Sequence, residues 1–192
     1  MSSNENESGR SPPGMSRRQF LGGLGALAGA LAFAPGKALA APVSRGERVI
    51  SFVHTHTSER LTLPYWGDGA YLPGSLTQVE SFLRDFRTGE CHPIDPALLD
   101  QLHDLRLATG STAPFQVISG YRSPQTNEAL RSERGGQARH SLHMQGRAID
   151  VRLADVRSST LREAALELAR GGVGFYRASD FVHVDTGPVR HW

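Results

Sequence analysis

Apolar and polar positions alternate with a period of two over residues 48–55 and again over 60–63, which predicts a β-hairpin turning at residues 56–58. Gly67, Asp68 and Gly69, then Pro73 and Gly74, mark a loop. The period then lengthens. Leu76, Val79, Phe82, Leu83 and Phe86 recur every three or four residues and predict a helix capped by Ser75, with Gln78 at the capping-box position and Gly89 after its end. Asp95 and Pro96 supply a cap and a first-turn proline for a second helix, with Leu98, Leu99, Leu102 and Leu105 turned inward and a stop before Gly110. Residues 115–119 read as a short strand leading into Gly120, Tyr121 and Arg122. Ser123 and Pro124 open a third helix to about residue 132, followed by a polar loop over 135–140. A strand over 148–153, an amphipathic helix over 159–169 ended by Gly171 and Gly172, and a hairpin of 173–176 with 181–185 complete the chain. Strands and helices are interspersed, with a hairpin at each end. The expectation is a single α+β domain, an antiparallel sheet flanked by helices, and not a doubly wound parallel sheet.

Strand alternation then selects a candidate site. Ile149, Val151 and Leu153 share one face of their strand, leaving Ala148, Asp150 and Arg152 on the other. In the last hairpin strand, Val182 and Val184 share a side opposite Phe181, His183 and Asp185. If the two strands are neighbours, Asp150 and His183 stand about 5 Å apart on the open face. His143 enters from the loop before Gly146, whose missing side chain permits a close turn. Two imidazoles and a carboxylate are the donor set of a catalytic zinc ion, which keeps a fourth position for water and lowers that water's pKa to about 7. Asp185, on the face of His183, is expected either to orient that imidazole or to act as the general base. A rival pair, His54 and His56, alternates on the first strand but has no carboxylate nearby and reads as an exposed strand face.

The N-terminus changes the picture of where this chemistry takes place. Ser16, Arg17, Arg18, Gln19, Phe20, Leu21 and Gly22 form a twin-arginine export pattern. An apolar run over residues 21–34 follows, shorter than the roughly 20 residues that span a bilayer. Ala38, Leu39 and Ala40 form a small-x-small cleavage site, so residues 1–40 are expected to be a signal and 41–192 the mature domain. A retained N-terminal anchor is the alternative. The expected destination is the periplasm, with the twin-arginine translocase as an export partner and no stable membrane insertion after cleavage.

Charge excludes one class of partner. Residues 1–40 hold four basic and two acidic residues; removed from totals of 21 and 19, they leave 17 of each sign. A neutral mature domain gives no electrostatic support for nucleic-acid binding. Cys91 is the single cysteine, so no internal disulfide is possible, and it reads as a structural or incidental thiol.

Three ordered motifs carry a family resemblance: Ser119 to Ser123 (Ser-Gly-Tyr-Arg-Ser), Ser141-x-His143-x-x-Gly146-x-Ala148-x-Asp150, and Gly172-Val-Gly174 with 182–187 (Val-His-Val-Asp-Thr-Gly). Together they resemble the D-Ala-D-Ala metallopeptidase superfamily, and more narrowly its YcbK-like (MepK-like) murein endopeptidases. The resemblance implies a Hedgehog/D-Ala-D-Ala-peptidase-like fold, zinc held by His143, Asp150 and His183, and hydrolysis of peptide cross-links in peptidoglycan, with its stem peptides as substrate. It implies that Arg122 holds the substrate and the oxyanion, that Ser141 binds substrate or orients its loop, and that Gln125 and His140 belong to the pocket. Dipeptidase branches of the superfamily carry a glutamate three residues before the last histidine ligand. Asp180 occupies that position here and is the leading candidate for the base. The alternatives left open are a D-alanyl carboxypeptidase and a non-catalytic peptidoglycan-binding module with structural zinc.

Overall fold

The computed structural model describes residues 46–135 and 138–192, so the signal and its cleavage site lie outside the described residues. Eight strands form one sheet: β1 (Arg48–His54), β2 (Arg60–Gly67), β3 (Ala70–Tyr71), β4 (Phe115–Ser119), β5 (Ala148–Leu153), β6 (Gly172–Tyr176), β7 (Phe181–Asp185) and β8 (Arg190–His191). Four helices accompany them: α1 (Pro73–Phe82), α2 (Pro96–Thr109), α3 (Pro124–Arg134) and α4 (Ser158–Leu168). The strand order is β3-β2-β1-β4-β5-β7-β6-β8. The α+β class stands, but the sheet is mixed and not wholly antiparallel, because β1 pairs β4 and β6 pairs β8 in parallel. The long connection carrying α1 and α2 lets the chain return to β4 in the direction of β1, as a parallel join requires. Among the described residues no helix is long and apolar enough to cross a membrane.

The predicted periodicity places the core. Ile149, Val151, Val182 and Val184 join Ile50, Phe52, Phe115 and Val117 in one buried cluster with Leu98, Leu99, Leu102 and Leu105 of α2 and Leu161 and Ala165 of α4. Each such fully buried aliphatic side chain contributes about 1.5–3 kcal/mol, so the cohesion of the sheet lies on this side. The opposite side is free to carry polar groups.

Helix ends follow local chemistry, with corrections at both ends of α1 and at the end of α4. The Asp95 carboxylate accepts from the Ala97 N–H and Gly110 closes α2 at φ 65°, both as predicted. The Ser123 hydroxyl likewise accepts from Thr126 at the start of α3. α1, however, begins at Pro73 after Leu72, with no side-chain cap, so Ser75 lies inside it. Proline at the first helical position needs no N–H partner and presets φ, which outweighs the serine signal. α1 also stops at Phe82, well before Gly89; the Leu83 carbonyl accepts from Tyr121 N instead of continuing the helix. α4 ends at Ala169 in a left-handed conformation, ahead of Gly171 and Gly172. The loop expected at residues 67–69 is the tight turn from β2 to β3, with positive φ at Asp68 and Gly69.

Candidate metal centre

Cross-strand register brings the first two site residues together. In the β5–β7 pair, Asp150 lies directly opposite His183, both on the side away from the core. The β4–β5 pair carries a bulge between Val117 and Ser119, which sets Ser119 opposite Asp150 and turns the chain toward Gly120 and Arg122. His143 arrives from a one-turn 3-10 helix, Leu142–Gln145, in which the Ser141 hydroxyl accepts from the His143 N–H and whose end is Gly146 at φ 65°. A methyl group on Gly146 would strike the Pro93 carbonyl, so this turn tolerates only glycine.

The donors of His143, Asp150 and His183 all lie within 4.8 Å of one another. His143 Nε2 is 3.2 Å from His183 Nδ1 and 3.3 Å from Asp150 Oδ1, and His183 Nδ1 is 2.9 Å from the same oxygen. The outer nitrogens are tied down: His143 Nδ1 donates to the Gly120 carbonyl at 2.7 Å, and His183 Nε2 to Asp185 Oδ2 at 3.0 Å. These bonds fix each ring so that its other nitrogen faces the centre, as ligating histidines require. Burial opposes a charge on His183, yet the hydrogen bonds to Asp150 and Asp185 outweigh it and raise its pKa to about 9. Asp150 is held well below the usual carboxylate range: burial pushes it up, and the two imidazoles pull it down further. A centre that favours a proton between these groups favours a cation there for the same electrostatic reason. Nitrogen and oxygen donors at this spacing fit one small divalent ion such as zinc.

The cluster lies at the floor of a cleft of about 340 Å³ that Arg122, His140, Ser141, Tyr176 and Trp192 also line. Arg122 is buried, with NH2 3.8 Å from Asp150 Oδ2 and NH1 donating to Asn127 Oδ1 at 3.3 Å. His140 is exposed on the rim, and the Ser141 hydroxyl accepts from the His143 N–H at 3.3 Å while lining the cleft. Gln125 is exposed on the first turn of α3, outside the lining.

The two candidate bases fare differently from each other. Asp185 is fully buried behind His183, where it accepts from Gly172 N, Gly187 N and both terminal nitrogens of Arg190 as well as from the imidazole. Every lone pair is engaged, which leaves it an orienting role and no capacity to take a proton from water in the cleft. Asp180 is not brought to the cluster. It is exposed, accepts from the Ser158 hydroxyl at 2.7 Å, and lies 3.9 Å from an Arg152 nitrogen, in a separate groove at the start of α4. Asp180 lies just before β7 in a left-handed conformation at φ 52°, so the alternation of that strand does not extend to it, and its carboxylate turns to Ser158 and Arg152. His54 is a core histidine whose Nδ1 accepts from His56 N and Thr57 N, while His56 stacks on Phe86 with ring centroids 4.4 Å apart. Cys91 is free and exposed.

Two site residues gave no sequence signal. Asn127, buried in α3, accepts from Arg122 and donates to the Ala138 carbonyl, joining the arginine to the loop that carries His140 and Ser141. Asp85 is buried beyond the end of α1, where Oδ2 accepts from both Ser123 N at 2.9 Å and Ser123 Oγ at 2.7 Å. Burial would raise its pKa, but bonds from Thr126, Ser123 and Arg87 lower it overall. Because the folded-state value is depressed, its contribution to stability is full above the unfolded value near 3.9 and is lost as pH falls through the folded value. Asp85→Ala leaves buried donors unmatched and is expected to cost about 1–3 kcal/mol in urea denaturation.

A family model described as peptidoglycan L,D-endopeptidase MepK matches residues 42–192. The peptidoglycan L,D-endopeptidases MepK of Escherichia coli (strain K12) and Shigella flexneri are each 39% identical to the chain over 176 residues, covering 92% of it and 96% of their own length. A probable peptidoglycan L,D-endopeptidase MepK of Haemophilus influenzae is 36% identical over 177 residues, covering 92% and 95%. No solved structure matches the chain.

Proposed function

The chain belongs to the peptidoglycan L,D-endopeptidase MepK family, and from that premise we propose that it is a zinc-dependent murein endopeptidase, exported by the twin-arginine route to the periplasm, where it hydrolyses peptide cross-links of peptidoglycan. The observation that carries the reading is the convergence of His143, Asp150 and His183 on one point, with both outer imidazole nitrogens already engaged. The names of the relatives favour L,D bonds, and hence the cross-link between two diamino acids over the one ending in D-alanine.

In this reading His143, Asp150 and His183 hold the zinc, which when bound supplies Lewis acidity toward the scissile carbonyl and acidifies a water molecule. The chain's own groups do the rest. The Gly120 carbonyl and Asp185 keep the two rings in ligating orientation. Arg122, held by Asn127 and lining the cleft, donates to the carbonyl oxygen as negative charge grows there. The buried setting strengthens that interaction because water competes weakly for the guanidinium.

Incubation of the purified protein with isolated sacculi tests the proposal. Muropeptides joined through two diamino acids should disappear, chelation should stop their loss, and added zinc should restore it. An unchanged muropeptide profile with metal-replete protein refutes the endopeptidase reading. Release of free D-alanine without loss of cross-links selects a carboxypeptidase instead.

A further inference from the structure

Tyr176 closes β6 at the cleft, and its hydroxyl lies 3.1 Å from Trp192 Nε1. An indole N–H donates and cannot accept, so the phenol oxygen is the acceptor in this contact and its own hydrogen remains available to another partner. The geometry of the phenol is set by its neighbours. Its ring stacks on Phe181 at 4.6 Å with the planes 16° apart. Trp192 is fixed in turn by backbone bonds to Val173 and Phe175 and by Arg190 over its ring at 5.2 Å. Gly174 leaves the space the indole fills, since a Cβ there would come within 2.7 Å of it. The Trp192 ring is 5.2 Å from that of His183, so the hydroxyl it anchors is one side chain away from the three donors. At 41% exposed, Tyr176 is open to a bound substrate.

Peptide hydrolysis converts a neutral carbonyl oxygen into one bearing negative charge, and fixed donors aimed at that oxygen lower the barrier. We propose that Tyr176 is a catalytic residue whose hydroxyl donates a hydrogen bond to the scissile carbonyl oxygen as that charge develops, from the β6 side of the cleft, complementing Arg122. Trp192 is the positioning residue, since its N–H takes a lone pair of the phenol oxygen and directs the O–H away from itself. The proposal rests on the peptidase reading of the same site.

The test compares the zinc-loaded wild-type chain with Tyr176→Phe and Trp192→Phe. Phenylalanine at 176 retains the stacking on Phe181 and removes only the hydroxyl. Turnover of a purified cross-linked muropeptide gives kcat and KM, and calorimetry gives the Kd of a phosphinate pseudopeptide with the tetrahedral shape of the reacting carbon and that of the planar tripeptide product. For Tyr176→Phe, kcat is expected to fall about 10²-fold with KM nearly unchanged. Phosphinate affinity should weaken in parallel, with product affinity and zinc content as in the wild type. Trp192→Phe should lower kcat less and in the same manner. Wild-type kcat and phosphinate affinity in Tyr176→Phe overturn the proposal, as does a loss confined to KM with product binding equally weakened. A wild-type chain that turns over no muropeptide sinks the peptidase reading, and the ratio of phosphinate affinities still decides the role of Tyr176.

Discussion

Replacing His183 with alanine is expected to abolish muropeptide turnover and, with it, the gain in thermal stability expected of the wild-type protein on adding zinc under the proposed metal assignment. An ion bound only by the native state stabilises it by RT ln(1 + [L]/Kd), about 4 kcal/mol at a thousandfold excess over Kd, which raises the melting temperature measurably. His183 supplies one of three donors and is the link between Asp150 at 2.9 Å and Asp185 at 3.0 Å. Without it the centre keeps one imidazole and one carboxylate, too few to retain zinc against a chelator. Calorimetric scans with and without zinc read this directly: the wild type shifts, and the variant does not. Retained turnover with full zinc content in His183→Ala would falsify the assignment of the metal centre. Asp185→Asn makes the same point more gently. The amide still reaches His183 Nε2 but the charge behind the ring is gone, and a loss of about 10–100-fold in metal affinity is expected.

Arg122→Ala is the second large effect. The guanidinium is buried beside Asp150 and bonded to Asn127, which in the proposed mechanism readies it for the carbonyl oxygen as charge develops there. Removing one such donor costs about 10²–10³ in kcat, equivalent to about 2.7–4 kcal/mol of transition-state stabilisation. Zinc content should stay at the wild-type level, because the arginine approaches only the outer carboxylate oxygen of Asp150, at 3.8 Å. Lysine at this position keeps the charge but not the planar fork that spans Asn127 and the cleft, so it should recover only part of the rate. Steady-state kinetics on a defined cross-linked muropeptide separate the cases. A variant with full kcat would remove Arg122 from the mechanism.

The elements that strand and helix periods mark were legible in the sequence because their signals are local. The alternation of Ile149, Val151 and Leu153 against Asp150 specified which side of β5 faces the core, and the same rule applied to β7 put His183 and Asp150 on one face. The caps at Asp95 and Ser123 are short-range hydrogen bonds between neighbours in the chain, and they too were readable. Ser75 misled because a proline two residues earlier competes for the same helix start. The parallel joins β1–β4 and β6–β8 were not readable, since strand direction depends on where a distant segment returns.

The site divides along the same line. Sequence alone singled out the candidate donors: strand alternation gave the face that Asp150 and His183 share, Gly146 marked the turn that carries His143, and the family resemblance implied that the three act together. Only the tertiary structure decided where the candidate acids lie. It turned Asp180 to Ser158 and Arg152, buried Asp185 against His183, and brought Asp85 to Ser123, Asn127 to Arg122 and Tyr176 to the cleft. A hydrogen bond between residues tens of positions apart leaves no trace in local pattern, because it is set by how whole elements pack.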